Sequence, residues 1–232
     1  MSITPIFIVC RDRITHLKQL VSWLEAAGEE RIYLIDNGST YEPLLSYLDA
    51  SPHNVQYMRE NVGHLVLWKR DLLSQYHIRE QFVLTDPDVV PTAECPHDAI
   101  DYFKRVQRQY DVMKAGFGLV TDDLPAHNRE RIVAWESQFV NVPLRRIVGS
   151  ADLFSADIDT TFAVYSDRCP FDSSPGTGNS IRTGKPYLAR HMSWYIDPEN
   201  LSEEDLYYAQ HADTEISHWA RNVRVLREGL QG

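Results

Sequence analysis

The first ninety residues alternate short β-branched runs with segments of helical periodicity, and few architectures accept that pattern. Ile3 to Cys10 is an apolar run ending in a charged turn, and Ile14 to Ala27 then carries Leu17, Leu20, Val21 and Leu24 at helical spacing, with Gly28 placed to stop the helix. Arg31 to Ile35 reads as a second strand, Pro43 to Leu48 as a helix, Val55 to Met58 as a short strand, His64 to Tyr76 as an amphipathic helix, and Phe82 to Leu84 as a further strand. Strands joined by helices of these lengths are parallel neighbours, because a parallel pair needs a crossover connection. The expected fold class is α/β, with a mostly parallel central sheet flanked by helices.

The last of these strands runs into Thr85-Asp86-Pro87-Asp88. A buried strand that ends in carboxylates delivers them to the rim of the sheet, where α/β proteins bind ligands. Two like charges roughly 4 Å apart repel by about 4 kcal/mol at an effective dielectric near 20, so folding alone does not favour the pair. A divalent cation removes that cost, and hard oxygen ligands suit Mg²⁺ or Mn²⁺. Asp-Pro-Asp is also ordinary turn chemistry. Upstream, the second strand ends in Ile35-Asp36-Asn37-Gly38-Ser39-Thr40, and Asn61 with Gly63 forms an Asn-x-Gly loop.

Together the N-terminal strand, the Ile-Asp-Asn-Gly-Ser-Thr segment, the Asn-x-Gly segment and the Asp-x-Asp resemble the GT-A glycosyltransferases, particularly inverting enzymes that use nucleotide sugars. The resemblance implies one GT-A-like domain over residues 1–232. Residues 1–91 would form the nucleotide-sugar half, and 92–232 an irregular acceptor-side half with a helical tail. It implies Mn²⁺ or Mg²⁺ held by Asp86, Asp88 and a late histidine, His191, so that the departing nucleoside diphosphate is neutralised. Donor contacts would come from Arg11 or Arg13 on a phosphate, Asp36 on the base or ribose, and Asn61, Gly63 and Lys69, with His64 a further candidate. Arg190 and Lys185 stand beside His191 as candidate diphosphate partners. The expected donor is a nucleoside-diphosphate sugar, with UDP the favoured carrier, and the expected acceptor a hydroxyl of a glycan or glycoconjugate.

Inversion needs a general base opposite the leaving group. Asp157 precedes, and Asp159 opens, a strand-like run, Asp159 to Tyr165. Asp159 is preferred with Asp157 in reserve, and Asp122 and Asp123 are further candidates. The commoner family pattern places a Glu-Asp pair at the opening of a helix, from which this chain departs. Ile100 to Tyr110 reads as a helix and Val112 to Val120 as a strand interrupted by two glycines, beyond which the pattern weakens; Ser173 to Gly184 reads as a loop, and Ser202 to Val225 as a helical tail. Trp68 reads as core, and Trp194, Tyr195, Tyr207, Tyr208 and Trp219 as packing residues or a sugar platform.

Composition excludes other classes. With 33 acidic against 23 basic residues and a formal net charge of -10, an extended nucleic-acid surface is not expected. Cys10, Cys95 and Cys169 match no zinc spacing and leave one unpaired in any disulfide scheme, which suits a reducing, cytoplasmic setting. No signal peptide or membrane span is expected. Two competing readings remain: a nucleotidyltransferase, although Val9-Cys10-Arg11-Asp12-Arg13 lacks the glycine-rich phosphate loop such enzymes carry, and a non-catalytic carbohydrate-binding domain on the same fold.

Overall fold

A computed structural model describes residues 3–144, 151–158, 162–167 and 179–212. Its N-terminal part follows the alternation: β1 (Ile6–Cys10), α1 (Thr15–Ala26), β2 (Ile32–Asp36), α2 (Glu42–Asp49), β3 (Asn54–Tyr57), α3 (Val66–Lys69), α4 (Leu72–Gln75) and β4 (Phe82–Thr85). There follow β5 (Val89–Pro91), α5 (Ala99–Tyr110), β6 (Lys114–Gly116), β7 (Gly118–Leu119), α6 (Ala126–Glu136), β8 (Leu153–Ser155), β9 (Ala163–Tyr165), β10 (Ser180–Thr183), β11 (Leu188–His191) and α7 (Glu203–His211).

Among the described residues the main sheet runs β3-β2-β1-β4-β9-β6-β10-β8. β3, β2, β1 and β4 are mutually parallel; β9 is antiparallel to both β4 and β6; β10 runs with β6, and β8 against β10. Six strands therefore share one direction. The continuous apolar runs of β1 and β2 follow from burial on both faces. In β1, Ile6, Ile8 and Cys10 pack with Leu17, Leu20 and Leu24 of α1 and Phe103 of α5, whereas Phe7 and Val9 pack on the other face with Leu67, Leu72 and Tyr165. Helix α1 is closed by the Gly28 N–H donating to the Glu25 carbonyl and the Glu29 N–H to that of Leu24, each at 3.0 Å. No helix among the described residues is long and apolar enough to cross a membrane.

Four expectations change. The helix expected over His64 to Tyr76 breaks in two at Asp71, whose φ of 48° is left-handed. The strand expected over Val112 to Val120 becomes β6 in the main sheet and β7 in a second sheet of order β5-β11-β7. The loop expected over Ser173 to Gly184 contains β10, which is buried throughout. Its polar side chains are satisfied internally, with the Thr183 hydroxyl 3.1 Å from the Gly116 carbonyl and 2.7 Å from that of Tyr187. The acceptor-side half is accordingly less irregular than its sequence suggests, for it supplies four strands to the main sheet. Within the expected tail, α7 opens on a capping box formed by Ser202 and Asp205; residues 213–232, with Trp219, lie outside the described residues, as does Cys169. Cys10 and Cys95 are buried free thiols.

Candidate functional site

Asp88 opens β5, and the antiparallel partner of β5 decides its surroundings. Val89 pairs with His191, and the Met192 N–H donates to the Asp88 carbonyl at 2.7 Å. This register sets His191 Nε2 3.5 Å from Asp88 Oδ2. The chain then turns through a 3-10 helix, Met192–Tyr195, from which the Ser193 hydroxyl donates to the same carboxylate oxygen. Arg13, arriving from the loop after β1, donates to Ser193 Oγ at 2.8 Å and lies 3.5 Å from Asp88 Oδ2. Its guanidinium is also 3.5 Å from Asp205 Oδ1 and 4.5 Å from the Tyr208 ring centroid, both on α7. Arg13 and Asp88 are only 5% and 6% exposed, so this is an interior ionic cluster.

Burial pushes the Asp88 carboxyl up, but His191, Arg13 and the Ser193 hydroxyl outweigh it and hold the group well below the usual carboxylate range. Burial likewise opposes the His191 imidazolium, and the Asp88 carboxylate, with a smaller contribution from Asp86, reverses the balance and raises it above its ordinary value. Asp86 is half-buried beside this pair.

Asp36 ends β2, and its buried carboxylate accepts the Ser39 N–H at 3.2 Å in an Asx-turn geometry. Burial, with Asp12 nearby, raises its pKa even though the Ser39 bonds oppose this. Two neighbours that the sequence left without a role organise the loops here. Asn37 is buried; its amide donates to Asn61 Oδ1 at 3.0 Å and to the Gly63 carbonyl at 3.1 Å, while its oxygen accepts the Val62 N–H at 2.9 Å. Asp12, 1% exposed, accepts the N–H groups of Thr40 and Tyr41 at 2.6 and 2.9 Å, fixing the entry to α2 from another loop. Lys69 is exposed and donates to the Val62 carbonyl at 3.0 Å; His64 is exposed; Arg11 reaches the His211 carbonyl at 3.5 Å.

Of the two glycines in these loops, the one that close packing requires is Gly38, not Gly63. A Cβ at Gly38 would lie 2.7 Å from the Glu60 carbonyl carbon, whereas at Gly63 the nearest atom is the Lys69 ammonium at 3.8 Å; both have positive φ, 77° and 84°. Gly38→Ala should therefore cost roughly 2–4 kcal/mol, from overpacking and left-handed strain together, and Gly63→Ala only about 1 kcal/mol. Urea unfolding of the two variants checks this, and equal losses would refute the assignment.

On the acceptor side, Asp157 is half-buried, and Asp159 lies outside the described residues. Asp123 accepts from Arg190 at 2.6 Å and from the Tyr195 hydroxyl at 2.6 Å, so Arg190 is ion-paired, and Lys185 lies 3.6 Å from Asp122. Trp194 meets the His191 ring edge-on at 4.9 Å. Tyr207 stacks on His211 and packs against Tyr41, while Trp68, packed against Tyr165, is part of the second core cluster. Sequence reasoning misses a buried pair, Glu136 and Arg182, 2.8 Å apart. Burial raises the Glu136 carboxyl, against the opposing pull of Arg182 and His191. Glu136 ends a weakly amphipathic helix and Arg182 sits in a polar strand, so no local pattern marked either.

The donor set bears on the cation. Among the described residues no three His, Cys, Asp or Glu side chains converge to hold a metal ion by themselves. Asp88 and His191 do converge, and their 3.5 Å separation suits two donors each about 2.1 Å from one small divalent ion, since such ligands lie roughly 3–3.5 Å apart. Mg²⁺-type sites commonly use one or two carboxylates and take the rest from substrate phosphates and water, so the Asp88 carboxylate is the donor of the pair that suits such an ion.

No family model and no curated protein matches the chain. Among solved structures it is similar to the mannosyltransferase PcManGT from Pyrobaculum calidifontis, in complex with GDP-Man and Mn²⁺, at 10% identity and a TM-score of 0.52 over 98% of this chain and 75% of that one. The chain shares that α/β fold. Weaker likenesses, below the level of a shared fold, are to HddC from Yersinia pseudotuberculosis complexed with GMP-PN (15% identity, 74% of this chain and 80% of that one, TM-score 0.41) and to a putative glucose-1-phosphate thymidylyltransferase from Bacillus anthracis (10% identity, 94% and 83%, TM-score 0.40).

Proposed function

We propose that this protein is a metal-dependent, inverting glycosyltransferase that moves a sugar from a nucleoside-diphosphate sugar to a hydroxyl of a glycan or glycoconjugate. The observation that carries the reading is the convergence of Asp88 and His191 across the β5–β11 pair, where β4 delivers the chain to the rim of the sheet. Asp88 and His191 would hold Mn²⁺ or Mg²⁺, with Asp86 beside them. When bound, the cation supplies charge neutralisation for the departing nucleoside diphosphate. Arg13 acts from behind: it keeps Asp88 ionised and fixes it through Ser193, which suits a positioning role better than phosphate contact. Asp36 and the loop stitched by Asn37 face the nucleoside, with Lys69 at the edge of that loop. Asp159, or Asp157, takes the acceptor proton.

The fold of a GDP-Man-bound mannosyltransferase makes GDP-sugars as reasonable a donor class as UDP-sugars. A second reading, in which protonated His191 faces the diphosphate without a metal ion, is favoured by the Asp88 carboxylate 3.5 Å away, which raises the His191 pKa.

Calorimetry with GDP and UDP, with and without Mn²⁺, tests the proposal, alongside an assay for nucleoside diphosphate released from sugar donors. Mn²⁺ should tighten one nucleotide at least tenfold. Ligation needs neutral imidazole, and the His191 pKa is raised, so this gain should grow as pH rises through that value. In the metal-free protein the sign reverses. The Asp88–His191 pair contributes most between the two unfolded values, about 3.9 and 6.5; the contribution is lost below that window as Asp88 protonates and above it as His191 deprotonates. Nucleotide binding indifferent to Mn²⁺, with transfer intact, would replace the metal reading by the cationic one. Absence of any nucleotide binding would overturn both.

A further inference from the structure

Four of the six large apolar side chains that are exposed among the described residues fall within one ten-residue stretch: Val133 at 41%, Trp135 at 63%, Val140 at 53% and Val142 at 55%. This stretch is inside out. Helix α6 buries Ile132 and Glu136, and the Glu136 carboxylate meets Arg182 at 2.8 Å in the interior while its neighbour Trp135 lies in solvent. Burying a carboxylate beside an exposed indole serves stability badly, because the charge gives up its water and the ring's burial is forgone. A surface that presents its apolar residues to a partner accounts for the arrangement.

The patch is fixed to the rest of the fold. The Gln138 amide donates to the Trp135 carbonyl at 2.7 Å, and the Phe139 ring, 6.0 Å from that of Trp135, carries the Arg182 guanidinium 4.0 Å from its centre. The Val142 carbonyl accepts the Ser155 N–H at 2.9 Å and the Leu144 N–H donates to the Leu153 carbonyl at 2.8 Å, so the chain leaving the patch runs along β8. At the other end of α6, the Asn128 amide donates to the Trp194 carbonyl at 2.9 Å. Trp135 therefore stands about 10 Å along the helix from the segment that follows His191.

Three features select the occupant. The four side chains present roughly 400 Å² of surface, about half of what each partner contributes to a stable protein interface, so a second copy would be poorly held. Three of the four are valines, which offer a glycan no hydrogen bond. Basic charge adjoins them: Arg129 and Arg131 are exposed on α6, and by sequence residues 126–146 hold four arginines against two glutamates, one of which is Glu136, where the chain as a whole carries -10. Apolar surface with a tryptophan in it and arginines beside it suits the headgroup boundary of an anionic bilayer.

We propose that residues 133–142 are a docking surface for an anionic lipid bilayer, with Trp135, Val140 and Val142 entering the headgroup boundary and Arg129 and Arg131 meeting lipid phosphates. Docking in this way sets the Asp88 corner close to the membrane plane. The inference does not depend on the glycosyl-transfer reading.

Co-sedimentation of the full chain tests it, with vesicles of phosphatidylcholine containing about a third phosphatidylglycerol and with phosphatidylcholine alone. The protein should partition to the anionic vesicles at least fivefold better than to the neutral ones, with its tryptophan emission shifted to the blue. Trp135→Ser with Val140→Ser should lower partition at least tenfold, and Arg131→Gln about threefold. Trp135→Phe, which keeps an aromatic ring, should still bind but lose most of the blue shift. Absence of binding to the anionic vesicles, or equal partition by the double variant, would overturn the inference. So would a dimer in sedimentation velocity that the double variant dissolves, which would assign the patch to a second copy of the chain. None of these readouts involves a nucleotide sugar, so failure of the docking surface and failure of the transfer reading are told apart.

Discussion

Asp88→Ala is expected to abolish metal-dependent nucleotide binding, to lower transfer by about a thousandfold or more, and to destabilise the protein. The stability loss should be about 3–5 kcal/mol, the usual consequence of removing one partner from a buried ionic cluster. Protonated His191 would be left without the carboxylate that compensates its burial, Arg13 would lose one of the carboxylates around it while Asp205 remains, and Ser193 would lose its acceptor. The catalytic loss corresponds to about 4 kcal/mol of transition-state stabilisation, within what a cation at a leaving group supplies. Because the two effects share one residue, Asp88→Asn separates them: it keeps the shape and a hydrogen-bonding oxygen, so stability should recover in part while Mn²⁺-dependent affinity stays lost. Urea unfolding and calorimetry read the two quantities independently. If the alanine variant retained Mn²⁺-dependent nucleotide affinity, the ligands would have to lie elsewhere.

The second large effect concerns the base. Asp159→Asn should leave nucleotide affinity within about twofold and lower kcat by about 10²–10⁴, the range that a positioned general base contributes. Should Asp157 be the base, the same signature will belong to Asp157→Asn and not to its neighbour. The asparagine keeps the size of the side chain and removes only its capacity to accept a proton. Kd for the nucleoside diphosphate, measured beside single-turnover rates, discriminates the outcomes. A parallel fall in both for Asp159→Asn would make Asp159 a donor-site residue and leave acceptor activation to another carboxylate.

The parts of the fold that were legible in the sequence are those whose signal is local. β1, β2 and β4 are buried on both faces and read as continuous apolar runs, and α1 shows its buried stripe at Leu17, Leu20, Val21 and Leu24. β10 was missed because Ser180, Arg182 and Thr183 are polar, and only a folded neighbourhood can satisfy them. The break at Asp71 was hidden because aspartate adopts left-handed backbone without a glycine to announce it. For the site, the acidic strand end and His191 could each be picked out, but their meeting depends on the β5–β11 register, which joins positions about a hundred residues apart. Arg13 in a charged turn looks like a solvated residue, and nothing nearby in the chain reveals that Asp88, Ser193 and Asp205 will enclose it.

The enclosure of Arg13 carries a consequence for how the molecule comes into being. Its partners stand 75, 180 and 192 residues further along the chain, so while the polypeptide emerges from the ribosome the early strands can assemble long before the corner they frame. Closing such long loops comes late in folding, since their entropy must be offset by contacts that do not yet exist. The Asp88 corner is thus expected to be the last piece set into place, and a chain interrupted before its final described helix has the scaffold without the keystone.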